Sequence, residues 1–178
     1  MKQLLQYTSK STIKPELAHI YVHKGEVYGS DDQNLYAVAT DSFRLLEIKI
    51  TDPYLLEYAP TGYYTQKEWQ TLSTLIGKKK RDIQDIQTLL NNIKAHQDNY
   101  KGYNYPQYKQ IIPTTDKLDN ITSLVDIKVN GDYFIDFIAS IPQDKFFGVQ
   151  LNDIKIKKDK RMITFIKDNT KALVMLMN

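Results

Sequence analysis

The stretch Leu35 to Ile50, LYAVATDSFRLLEIKI, holds two apolar runs, Leu35 to Thr40 and Leu45 to Ile50, around a polar turn. Short runs rich in Leu, Val and Ile that are broken by Asp and Ser read as two strands joined by a tight connection. Asp41 suits the turn, because a short carboxylate can bond its own backbone. Upstream, Ile20 to His23 and Glu26 to Tyr28 read as further strands, with Lys24-Gly25 and Ser30-Asp31-Asp32 as the breaks between them. Lys10 to Pro15 is too short and too interrupted to make a helix, so the first fifty residues read as strands alone.

The C-terminal third repeats this theme with a helix in it. Val125, Ile127 and Val129 alternate with polar neighbours as in a half-buried strand, and Asn130-Gly131-Asp132 offers a turn and a helix cap. Phe134, Phe137, Ile138 and Ile141 recur at helical spacing until Pro142 ends the pattern. Strand-like runs follow at Phe147 to Leu151, Ile154 to Lys157, Met162 to Ile166 and Ala172 to Met177. In the middle, Trp69, Leu72, Leu75 and Ile76 mark one amphipathic helix, from Gln66 to Gly77. Ile83, Ile86, Leu89, Leu90 and Ile93 mark a second, from Asp82 to Ile93.

The bulk properties exclude several classes. With 178 residues and 42% hydrophobic side chains the chain can bury a sizeable core. No apolar run approaches the roughly 20 residues that span a bilayer, and the start MKQLLQYTSK lacks a signal-peptide core, so a cytoplasmic protein with no membrane association is expected. Zero cysteines rule out disulfides and thiolate chemistry. A formal charge of +3 names no partner by itself. His19 and His23 would lie about 13 Å apart along a strand, too far for one ion. No phosphate loop, nucleophile elbow or carboxylate pair with a base is present. Neither catalysis, a metal nor a cofactor is expected.

Three segments carry a resemblance to a known family. Ala39-Thr40-Asp41-Ser42-Phe43-Arg44-Leu45 resembles the A-T-D-G-H-R-L segment of the bacterial DNA polymerase III beta subunit, the ring-shaped sliding clamp. Tyr105 to Pro113, YPQYKQIIP, is similar to its interdomain F-P-D-Y-x-x-V-[IL]-P, and Leu173 to Met177 resembles its closing V-V-M-P-M. The order along the chain is the same. The resemblance implies an α+β fold of antiparallel sheets with few helices, built from strand-helix-strands repeats whose units pair. One clamp-like domain is expected over residues 1 to 110 and a partial one over 111 to 178. The helix at Asp82 to Ile93 would depart from the family, which has strands there.

It also implies a DNA sliding clamp, a processivity factor for replication that encircles double-stranded DNA without reading sequence and docks peptides of DNA polymerase and other clamp partners. A chain shorter than a clamp subunit would need more copies to close a ring, making it a homo-oligomer. In the family the three segments meet at a surface pocket for such peptides. Position by position the candidates are Thr40, Ser42, Phe43, Arg44 and Leu45; Pro106, Gln110 and Ile111; and Leu173, Val174, Met175, Leu176 and Met177. Phe43 stands in place of a His, Ser42 of a Gly, Gln110 of a basic residue and Leu176 of a Pro, so the pocket should be more apolar and less cationic than usual. The plain alternative makes Leu173 to Met177 an ordinary buried closing strand.

Lys78, Lys79, Lys80 and Arg81 are the candidates for DNA contact, since clamp channels are lined by helices bearing Lys and Arg that neutralise phosphates. The alternative is a solvated run that complements a helix dipole. Lys10, Lys14 and Lys101 are further phosphate candidates. Tyr100, Tyr103, Tyr105 and Tyr108 could stack unpaired bases, or pack their connection onto the domain. Two rivals to a ring remain: a binding module that keeps the pocket and acts as an adaptor or competitor for clamp partners, and a β-rich structural domain.

Overall fold

The computed structural model describes residues 1–10, 12–25, 34–110, 112, 118–120, 130–140, 154–157, 162–167 and 170–176. The expected strands at 26–28, 125–129 and 147–151 lie outside them. The strands are β1 (Ile20–Lys24), β2 (Leu35–Thr40), β3 (Arg44–Ile50), β4 (Gly62–Tyr64), β5 (Leu118–Asn120), β6 (Ile154–Lys157), β7 (Met162–Lys167) and β8 (Thr170–Met175). The helices are α1 (Pro53–Tyr58), α2 (Gln66–Ile76), α3 (Ile83–Ala95) and α4 (Gly131–Ser140).

One sheet runs β4-β1-β2-β3-β8-β7-β6-β5, and its neighbouring strands are antiparallel. β3 meets β8 from Arg44↔Val174 to Ile48↔Thr170, so residues on both sides of position 110 share the sheet. Strand alternation assigns each side chain a face. Ile20, Val22, Ala37, Ala39, Leu46, Ile163, Phe165, Ala172 and Val174 point to a core shared with Trp69 and Leu72 of α2, Ile86, Leu90 and Ile93 of α3, and Phe137 of α4. Leu45, Val38, Leu173 and Tyr63 point the other way, where Tyr105, Tyr108 and Ile112 of the Tyr-rich connection cover them.

Side-chain caps explain where the helices begin. Thr65 Oγ1 accepts from Glu68 N at 3.2 Å while Glu68 Oε2 accepts from Thr65 N at 2.8 Å, a reciprocal capping box for α2. Asp82 accepts from Asp85 N at the start of α3, and Asn130 Oδ1 accepts from Asp132 N and Tyr133 N at the start of α4. Asp52 caps α1 through Tyr54 N and Leu55 N, with Pro53 in the first turn.

Elements not expected include α1, β4, β5 and a 3-10 helix at Lys2–Tyr7, in a unit where the sequence predicts no helix. That helix is too short to show a period. Tertiary contacts hold it, with Leu4 and Tyr7 fully buried and Trp69 Nε1 donating to Met1 O at 2.9 Å.

Candidate peptide-docking site

The turn between β2 and β3 is closed by its own side chains. Thr40 Oγ1 donates to Arg44 O at 2.7 Å and accepts from Ser42 N at 3.2 Å, and Asp41 Oδ1 accepts from Phe43 N and Arg44 N, each at 3.0 Å. Ser42 has φ +81°, in the left-handed region that favours glycine. This backbone leaves Phe43 57% exposed. Its carbonyl accepts from Met175 N at 2.8 Å, so the main chain of an exposed aromatic is tied on both sides.

Arg44 leaves the helix-covered face of the sheet and is consumed there. Nε donates to Asp41 Oδ2 at 2.9 Å, Nη1 bonds Asp136 of α4, and Nη2 donates to Gln6 O at 2.6 Å. The guanidinium lies 4.3 Å from the Tyr133 ring centroid and 5.2 Å from that of Tyr7. Burial works to lower its pKa, but the hydrogen bonds and charges of Asp41 and Asp136 prevail and raise it.

The three expected segments meet, but mainly as interior. Leu45 and Leu173 are direct sheet partners, and both lie in one buried cluster with Tyr105, Tyr108 and Ile112. Thr40 and Val174 are also buried, Met175 and Leu176 are half-buried, and Ile111 and Met177 lie outside the described residues. The residues of the segments that border cavities divide between two of them. Ser42, Phe43 and Arg44 line a groove of about 760 Å³ with Lys10, Ile13, Lys14 and Tyr133. Pro106 and Gln110 line one of about 480 Å³ with Tyr21, His23 and Lys24. Among the described residues, none lines both.

No protein-family model matches the sequence, and no curated protein matches it either. Among solved structures, the chain is similar to DNA polymerase III subunit beta from Borrelia burgdorferi, determined in complex with a natural product, with TM-score 0.59 and 14% identity. That match covers 99% of this chain and 60% of the other, so the chain spans about 60% of the length of that clamp subunit. The chain has the fold of a bacterial sliding clamp. Further sliding clamps give lower scores: one from Bartonella birtlesii bound to griselimycin has TM-score 0.28 and 16% identity, and one from C. crescentus has 0.29 and 11%, each match covering 99% of this chain and 29% of the other.

On this clamp fold the basic run follows α2. Lys78, Lys79 and Lys80 are exposed, while Arg81 pairs with Asp52 Oδ2 at 2.5 Å. The tyrosines of the connection pack on the sheet and on one another: Tyr105 lies 4.8 Å from Tyr21, nearly parallel, and its hydroxyl donates to Val38 O at 3.3 Å.

Beneath them is a polar group that the sequence reading missed. Tyr108 Oη donates to Glu47 Oε2 at 2.6 Å and also bonds His23 Nε2, and Lys171 Nζ lies 3.0 Å from Glu47 Oε1. Glu47 is only 1% exposed. Burial first, then the charge of Glu47, raises the pKa of Tyr108. The signal was present in Glu47 and Lys171, charged residues alternating with apolar ones in paired strands. Among the described residues, no group of three or more His, Asp or Glu is arranged to hold a metal ion.

Proposed function

We propose that this chain works as a sliding-clamp module that holds DNA without reading sequence and docks peptides from replication partners. The observation that carries the reading is the meeting of the Thr40 to Leu45 turn, the Tyr105 to Ile112 connection and β8 on one clamp-fold sheet. Exposed Lys78, Lys79 and Lys80 beside the helical layer supply charge for phosphate contact, which needs no base readout. The module has no catalytic role; partner enzymes do the chemistry.

A second reading has its own support. Gln97 occupies the outward backbone groups of the terminal strand β4, and a sealed edge favours a module that docks peptides without continuing its sheet into a ring. Retention on circular DNA separates the two. A ring of several copies stays on nicked circles at moderate salt and is lost when the circle is linearised. A non-ring module leaves both forms alike as salt rises.

A further inference from the structure

The groove beside the β2–β3 turn has a composition that its neighbour lacks. Ile13 is 88% exposed and Phe43 57%, although water disfavours both and the core lies close by. Phe43 is not a loose side chain. Asp41 Oδ1 holds its N–H, Met175 N–H holds its carbonyl, and its ring lies 6.2 Å from Tyr133 at 30°. An apolar anchor held this way loses little freedom when a ligand arrives.

The charges of the groove are asymmetric. Its carboxylates, Asp41 and Asp136, are both bonded to Arg44. Lys10 and Lys14, on either side of Ile13, are exposed, and among the described residues neither is ion-paired. A ligand therefore meets two ammonium groups and two apolar side chains, while the two carboxylates are turned to Arg44, whose single charge offsets one of them. We infer that this groove takes an acidic peptide segment with an apolar anchor, its carboxylates toward Lys10 and Lys14 and its anchor against Phe43 and Ile13. A phosphate backbone would use the lysines but leave Phe43 and Ile13 in water, so a peptide fits better than DNA. The inference rests on the peptide-docking reading and narrows it: Arg44 is occupied, so selection passes to the two lysines.

The test is fluorescence anisotropy with the full chain and three labelled peptides of one length and one apolar core, flanked by acidic, basic or neutral Gln-bearing residues. The acidic peptide should bind at least tenfold tighter than the basic one, and more weakly as salt rises. Phe43→Ser should weaken it about tenfold at an unchanged melting temperature, and Lys10→Glu with Lys14→Glu should reverse the order of the acidic and basic peptides. Equal binding of all three peptides overturns the inference while the docking reading stands. So does a response to Lys24→Glu, in the other cavity, in place of Lys10 and Lys14. Displacement of duplex DNA by the Lys10 and Lys14 changes, with no peptide binding of any kind, overturns both.

Discussion

Gln97 hydrogen-bonds both backbone groups of Tyr63, its Oε1 accepting from Tyr63 N and its Nε2 donating to Tyr63 O, each at 2.8 Å. The side-chain amide does there what the next strand of a sheet would do. Gly62 makes room for it, since a Cβ at that position would lie 2.1 Å from Gln97 Oε1. Exposed strand edges invite pairing with other chains, and a fixed amide is one way to close them. Gln97→Ala should lower stability by about 1–2 kcal/mol, the scale of lost hydrogen bonds. It should also make the protein associate in a concentration-dependent way. Urea denaturation and light scattering measure the two effects, and a variant that stays unassociated at every concentration removes the edge-sealing role.

Ser42 sits where the family segment has Gly, with φ +81°. A left-handed conformation costs a non-glycine residue about 1–2 kcal/mol, and glycine returns part of that gain as extra freedom in the unfolded chain. Ser42→Gly should therefore stabilise the fold by about 0.5–1 kcal/mol, whereas a β-branched Ser42→Val should destabilise it by at least as much. Chemical denaturation of both variants checks the sign. If Gly is the less stable of the two, the turn is not strained at this residue.

The fold was legible where local chemistry repeats. Two apolar runs around Asp41 mark the β2–β3 hairpin, and the Ile83, Ile86, Leu90, Ile93 spacing marks α3. Short elements gave no such signal: Gly62–Tyr64 is three residues and Lys2–Tyr7 six, and distant groups such as Gln97 and Trp69 hold them in place. The segments of the candidate site were legible as neighbours but not by facing. Alternation sends Arg44 to the helices and Leu45 to the tyrosines, and the capture of Arg44 by Asp136, 92 residues away, has no local trace.

That capture makes Arg44 structural. Its side chain joins the β2–β3 turn to the N-terminal 3-10 helix through Gln6 O and to α4 through Asp136. Removing it leaves Asp41 and Asp136 close together without their shared cation. Breaking a buried pair in this way costs about 3–5 kcal/mol, and the partial exposure of Asp136 places the expected loss for Arg44→Met at the lower end. Arg44→Lys should recover only part of it, because an ammonium cannot reproduce the planar fork that reaches three acceptors. Thermal melts of both variants provide the measurement, and a Lys variant as stable as the parent would mean that charge alone matters.

The tyrosine-covered face sets an alkaline limit. Burial raises the pKa of Tyr105 and Tyr108 there and of Tyr64 in the helix-covered core, and raises that of Tyr63 from 10.0 to about 12. In the unfolded chain these phenols ionise near pH 10, so above that value the unfolded state sheds protons that the folded state keeps. Their contribution is complete below pH 10 and declines as pH rises toward 12 and beyond, with a slope of up to about 1.4 kcal/mol per pH unit for each group. Ionisation of Tyr108 would also place a phenolate against Glu47, which makes this hydroxyl the hardest to titrate in place. The protein should therefore unfold cooperatively between pH 10 and 12, with a fraction of its tyrosinate absorbance appearing only together with loss of secondary structure. Tyr108→Phe should make the fall of stability with pH shallower, because it removes one of the protons that drives it, while the loss of its bond to Glu47 lowers stability at every pH. A tyrosinate signal that rises smoothly and ahead of any loss of circular dichroism would show that the connection opens before the sheet does, and the cover over Leu45 and Leu173 would then be a separate, weaker unit.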